Sequence, residues 1–219
     1  MRRSSLEIFL IRHCESQATL DQIVGGHLGC TGLSAFGVQD TQRVSHKLRE
    51  TCRLNFHNSK SQVFSSQMPR SVETAQLVTG LNVWQIESSC DFCEVHPGEM
   101  DGCSWESLSN STQGSFFDPI GNRGESYFDM IRRADLGIGK LVDRYFVSDM
   151  VIPIVFTHSG PILACYWIGG MSQVQYFFDR EVKLGSIHVI SIDMESKAIS
   201  ESDGVDHRLG DFQFSIREI

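Results

Sequence analysis

Along the chain, apolar positions gather into short continuous blocks, and the stretches between them repeat at helical spacing. "LEIFLIR" (6–12) is apolar and bounded by polar residues, which predicts a buried first strand. A Gly-rich loop, "IVGGHLGCTG", follows. In "LSAFGVQDTQRVSHKLRETC" Phe36, Val44, Leu48 and Cys52 fall near helical spacing, with Ser34 placed as an N-cap. "SQVFSS" (61–66) predicts a second strand. In "MPRSVETAQLVTG", Pro69 suits a first helical turn and Gly80 a helix stop. A brief strand is expected at "NVWQI" (82–86), then an irregular stretch over roughly 88–124, rich in Ser, Gly and Asn. Helical spacing resumes through Phe128, Ile131, Ile138, Leu141, Val142 and Tyr145, with Gly137 and Gly139 each weakening that helix by roughly 1 kcal/mol. "MVIPIVFT" (150–157) predicts a third core strand, and "SGPILACYWIGG" a helix starting near Ser159 and stopped by Gly169 and Gly170. "SIHVISID" and "DFQFSIRE" are late strands. Strands alternating with helices predict an α/β fold of three layers, α/β/α, with a mostly parallel central sheet covered on both faces.

Composition narrows this only modestly. With 219 residues, 41% apolar and 21% charged, the chain suits a soluble globular protein with one substantial core, or at most two small domains. A net charge of −8 argues against a nucleic-acid or anionic-membrane surface, but a few focused cations can still dominate one pocket. No apolar run approaches the ~20 residues of a membrane span. The apolar stretch behind Arg2 and Arg3 is too short for a signal peptide and ends in charge, so a cytoplasmic protein is expected. Seven cysteines, an odd number, fit that compartment without a disulfide framework. Cys90 and Cys93 form a CxxC pair with His96 and Cys103 nearby. A zinc site there is conceivable, yet the spacing matches no common ligand pattern and free thiols are the expected reading.

The strand ends carry the chemistry. The first strand ends in Arg12-His13; the second ends in Ser65-Ser66, with Arg70 in the next helix's first turn; the third ends in Thr157-His158. Ligands of open α/β folds bind beyond the carboxyl ends of strands, where helix N-termini present free N–H groups. Two arginines and two histidines at that edge of an acidic protein suit a carboxylate or, better, a phosphoryl group.

These blocks resemble the histidine phosphatase superfamily, the phosphoglycerate-mutase-like proteins. "LIRHCES" is similar to its RHG signature, "VFSSQMPRSVETAQLV" to its second block, and "CEVHPGEMDG" to its acid loop. "GES" at 124–126 and "VFTHSGPI" complete the series in the family's order. The resemblance implies the phosphoglycerate-mutase-like fold, a single catalytic domain over 1–219 with 88–124 as acid loop and pocket rim, and a set of roles. His13 would be the nucleophile, and Arg12, Arg70 and His158 would hold phosphate oxygens. Glu94 would be the acid, in preference to Glu99 in the structural turn. Ser16 and Ser159 are further candidates for phosphate, with Glu15 and Ser16 alternatively capping the adjacent helix. An imidazole attacks through an unprotonated nitrogen, so the other nitrogen should donate to a fixed acceptor.

Three positions depart from the family pattern. Cys14 replaces a glycine, Thr19 stands where many members have a phosphate-holding asparagine, and Ser159 replaces a glycine. Cys14 also places a thiol beside the nucleophile, where oxidation could inhibit. The segment from Glu94 to Gly124 is short and its one arginine is Arg123, unlike the long, arginine-bearing insertion typical of the mutases. A phosphomonoesterase acting on a small phosphorylated metabolite through a phosphohistidine is therefore expected, with no cofactor and no catalytic metal. Trp105, Phe116 and Phe117 would shape the pocket rim or anchor packing. A mutase-type phosphotransferase and a non-catalytic phosphate-binding module are the alternatives. An iron triad of His13, Glu94 and His158 is disfavoured by the adjacent arginines. Oligomeric state stays open.

Overall fold

The computed structural model describes residues 5–56, 60–111, 116–145, 151–193 and 212–219. Its strands are β1 (Ser5–Arg12), β2 (Ser61–Ser65), β3 (Glu87–Ser88), β4 (Ile152–Thr157), β5 (Ile187–Asp193) and β6 (Phe214–Glu218). They form one six-stranded sheet in the order β3-β2-β4-β1-β5-β6. Pairings among β1 to β4 are parallel, while β5 runs antiparallel to both β1 and β6.

Alternation along β1 shows why its apolar run is continuous. Leu6, Ile8 and Leu10 enter one core, and Phe9 and Ile11 enter the other. A strand buried on both faces has no polar side to display. The first core lies under α5 (Tyr127–Tyr145) and α6 (Ser159–Ile168), the second under α2 (Ala35–His46) and α3 (Pro69–Thr79). Three shorter helices complete the described set: α1 (Gln17–Leu20), α4 (Trp105–Ser111) and α7 (Val174–Asp179). Among the described residues, no helix is long and apolar enough to cross a membrane.

The expected helix ends hold. Ser34 caps α2 by accepting from Gly37 N at 2.9 Å, Pro69 opens α3, and Gly80 closes it in the left-handed conformation. Three regions differ from expectation. "NVWQI" forms a 3-10 turn over Val83–Gln85, because the Asn82 and Gln85 side chains satisfy each other's backbone N–H groups. Pairing begins only at Glu87. Within the expected irregular stretch, Ser104 accepts from Ser107 N at 3.2 Å and starts α4. Gly137, counted as a weakness, is a contact: a Cβ there would lie 2.5 Å from Asp91 Cβ, so its absence lets the turn Cys90–Phe92 press onto α5.

Candidate active site

Strand order places the carboxyl ends of β2, β4 and β1 side by side. The chain leaves each with its backbone still anchored: His13 N donates to Thr157 O at 2.9 Å, and Ser66 N to Phe156 O at 2.9 Å. His13, Ser66 and His158 therefore stand in a row at one sheet edge. Arg70, at the second position of α3, reaches the same place from the side.

His13 is nearly fully buried and locked at both ring nitrogens. Nδ1 lies 2.7 Å from the Cys14 carbonyl, which can only accept, so Nδ1 carries the proton. Nε2 is then unprotonated and accepts from Arg70 Nε at 3.0 Å. Burial, then the nearby Arg70 and Arg12, push the His13 pKa well below the ordinary histidine value. The ring is a neutral base with its lone pair fixed in direction. Arg70 is itself held by the Gly25 carbonyl, which Nη1 reaches at 2.5 Å. Arg12 donates to the Val182 carbonyl, and burial lowers its pKa.

His158 packs edge-on against His13, with ring centroids 4.9 Å apart. Its Nε2 is 2.7 Å from Ser66 Oγ. That oxygen also accepts from Met68 N at 3.2 Å, so Ser66 ties His158 to the start of α3. Burial, then Arg70 and His13, lower the His158 pKa well below the ordinary value. No described group pairs with His158 Nδ1 or Arg12 Nε, although both are buried. Buried guanidinium N–H groups nearly always have acceptors, so the orphan on Arg12 suits an anionic ligand.

Two cavities meet here. One of about 250 Å³ is lined by Arg12, His13, Ser16, Thr19, Arg70 and Glu94, among others. A second of about 410 Å³ is lined by Ser159, Phe177, Phe178 and Arg180 and shares Arg12, Glu94, Val95 and Tyr127 with the first. Glu94 thus stands in the wall between them. Its Oε2 accepts from Ser159 Oγ and from Gly160 N, both at 3.1 Å, at the start of α6. Its Oε1 accepts from Val95 N at 3.1 Å. A Cβ on Gly160 would lie 2.0 Å from Glu94 Oε1, so only glycine admits the carboxylate there.

The candidates of the sequence fall into distinct places. His13, Arg12, Arg70, Ser16 and Glu94 line the first cavity. His158 does not line it but sits behind His13. Ser159, expected to hold phosphate, binds Glu94 instead. Ser16 caps α1 by accepting from Thr19 N at 3.3 Å, and its Oγ is 2.9 Å from Thr19 Oγ1. Glu15 accepts from Ser34 Oγ at 2.7 Å and so braces the cap of α2. Glu99 is turned away, accepting from Asn122 Nδ2 at 3.1 Å. Trp105 lines the cavity, whereas Phe116 is buried and stacks on Trp167 at 4.7 Å. Cys14 keeps an ordinary backbone and points into the core among Phe9, Ile11 and Val44. Burial pushes its thiol up to about 12, which removes it from thiolate chemistry. Of the CxxC group, Cys90, Cys93 and His96 come together, but Cys103 does not: its thiol donates to the Glu99 carbonyl.

Two side chains essential to this geometry carry no signal in the sequence. Arg133 donates through Nη1 to the carbonyls of Cys90 and Cys93 and through Nη2 to that of Glu94, while Glu125 grips its other side at 2.7 and 2.9 Å. Asp101 accepts from the backbone N–H groups of Gly26, Leu28 and Gly29 at 2.8–2.9 Å and shapes the rim opposite. Both are charged residues in polar neighbourhoods, and only the fold shows that they hold backbone.

A family model described as histidine phosphatase superfamily (branch 1) matches residues 8–203. The chain belongs to that superfamily. Phosphoglycerate mutase-like protein 4 of Arabidopsis thaliana is 27% identical over 169 residues, covering 73% of this chain and 69% of its own. The solved structure of Bacillus stearothermophilus YhfR superposes with a TM-score of 0.70 at 21% identity, covering 96% of each chain. The mycobacterial glucosyl-3-phosphoglycerate phosphatase superposes with a TM-score of 0.66 at 17% identity, covering 87% of this chain and 94% of its own. At these identities the superpositions establish the shared fold: an α/β, phosphoglycerate-mutase-like architecture.

Proposed function

We propose that the chain is a metal-independent phosphomonoesterase that hydrolyses a small phosphorylated metabolite through a phosphohistidine on His13. The observation that carries this reading is the locked imidazole, with its bare Nε2 at the cavity wall and two arginines beside it. In-line attack by Nε2 forms the N–P bond as the ester P–O bond breaks. Arg12 and Arg70 stabilise charge on the phosphoryl oxygens, and His158 adds a donor from behind. Glu94 delivers a proton to the departing alcohol oxygen. Water then attacks phosphorus, the Glu94 carboxylate takes the water proton, and the N–P bond breaks to release phosphate and His13. The positive charge the transition state needs comes from fixed guanidinium groups, which is why the step needs no metal.

Support for a phosphatase over a mutase is the short acid-loop segment, whose one arginine is Arg123. The decisive experiment combines a phosphatase screen over a metabolite panel with trapping of the phosphoenzyme. Wild-type protein should carry an acid-labile, base-stable phosphoryl group, and His13→Ala should lose it along with activity by roughly 10⁴-fold or more. Full activity in His13→Ala would rule out the nucleophile. Phosphoglycerate mutase turnover without net phosphate release would favour the phosphotransferase reading.

A further inference from the structure

Four potential metal ligands converge from two parts of the chain. Cys90, Cys93 and His96 come from the loop that carries Glu94. His27 comes from the Gly-rich loop after α1. Their ligand atoms all lie within 4.8 Å of one another, with Cys90 Sγ 3.2 Å from His96 Nε2 and 3.9 Å from His27 Nε2. A tetrahedral zinc with bonds of about 2.3 Å to sulfur and 2.0–2.1 Å to nitrogen sets its ligand atoms about 3.3–3.8 Å apart. The observed group needs only a small contraction to reach that geometry. The sequence hid it because the fourth ligand is not Cys103 but His27, far away in the chain.

We propose that His27, Cys90, Cys93 and His96 form a structural zinc site that staples the Gly-rich loop to the acid loop. Two thiolates and two imidazoles are the donor set that tetrahedral zinc takes, and four protein ligands leave no position for substrate. The surroundings match. Glu125 Oε2 lies 3.8 Å from His96 Nδ1, the carboxylate partner that orients a ligating imidazole through its far nitrogen. Arg133 binds the carbonyls of Cys90 and Cys93, so both ligand-bearing turns are fixed from behind. Asp101 fixes the backbone on both sides of His27. Zinc with two thiolates is neutral, and Arg133 and Glu125 neutralise each other, so the cluster is balanced in charge. Glu94 lies between two of the ligands, and Gly25, whose carbonyl holds Arg70, lies two residues before a third. The metal would therefore hold both rims of the catalytic cavity in register while standing outside the chemistry.

The site is tested on the full chain, expressed without a histidine tag and under reducing conditions. Metal analysis should find about one zinc per chain. Cobalt(II) titration should give thiolate-to-cobalt charge transfer and the intense visible bands of a tetrahedral site. In Cys90→Ser/Cys93→Ser the charge-transfer band should vanish. His27 is exposed, so His27→Ala should fold normally yet bind zinc at least about tenfold more weakly and lose any chelator-induced drop in Tm. A zinc content far below one per chain without a thiolate–cobalt band would overturn the proposal. So would zinc affinity unchanged in His27→Ala, or a Cys90–Cys93 disulfide in the reduced preparation. None of these readouts depends on phosphatase activity.

Discussion

The two sides of the candidate site are built by opposite means. The nucleophile side stands on strand ends and helix starts: His13 leaves β1, His158 leaves β4 and Arg70 stands second in α3. The acid side is an excursion of short 3-10 turns, and Glu94 is placed by donors borrowed from elsewhere: Ser159 and Gly160 on its carboxylate, Arg133 on its carbonyl. Regular structure supplies position without dedicated side chains, whereas a loop must recruit them. A substitution on the first side should therefore damage the chemistry and leave the fold intact. One on the second should damage both.

Removing Arg70 is the sharpest way to break the nucleophile side. In Arg70→Met, kcat/KM should fall by roughly 10³-fold, because charge stabilisation and the orientation of Nε2 are lost together. The loss should be similar for substrates with good and poor leaving groups, and a strong leaving-group dependence would contradict the assignment. Glu94→Gln should cost about 10²-fold for poor leaving groups and far less for p-nitrophenyl phosphate, as expected for an acid. Equal losses across leaving groups would remove Glu94 from that role.

Arg133→Met sharpens the comparison, since Arg133 touches the acid loop but not the cavity. The expectation is about a tenfold loss of kcat with the leaving-group dependence of Glu94→Gln. A fall in stability of about 3 kcal/mol in urea denaturation should accompany it, because the largely buried Glu125 carboxylate loses its guanidinium partner. A stability loss without the leaving-group signature would make Arg133 structural only.

Mild acidification is expected to act on stability alone, through the buried histidines. His13 and His158 stay neutral in the fold, and burial, followed by nearby cations, lowers His188 to about 4. Below the ordinary histidine value of about 6.5 the unfolded chain binds protons that the folded chain refuses. Stability should therefore be level above about pH 6.5 and fall below it, by up to about 1.4 kcal/mol per pH unit for each histidine. Denaturation midpoints at pH 7.5 and 5.5 measure this. A midpoint that rises on acidification would contradict the neutral, locked rings.

Much of the nucleophile side was legible in the chain. The run 6–12 must be a strand buried on both faces, and a charged pair at its end can only project from the sheet edge. Ser34, Pro69 and Gly80 announce helix boundaries through local backbone chemistry, which needs no partner from elsewhere. "NVWQI" misled because its apolar content suits a strand, while the side chains of Asn82 and Gln85 favour a turn. The acid side was legible only as an irregular segment. Its determinants are pairs distant in sequence, such as Arg133 with Cys93 and Asp101 with Leu28, and no periodicity records them.

Cys14 and Cys93 make the division concrete. Each follows or precedes a proposed catalytic residue by one position, and each is buried. In the sequence both are thiols beside the chemistry. In the fold Cys14 turns into the core among Phe9, Ile11 and Val44, and Cys93 turns toward His27, Cys90 and His96. The chain by itself determined where strands end and which cations sit at their tips, because hydrophobic period and capping act over a few residues. Which distant groups meet those tips, as Arg70 meets Nε2 of His13, was decided by tertiary packing, because hydrogen-bond partners are chosen by proximity in space.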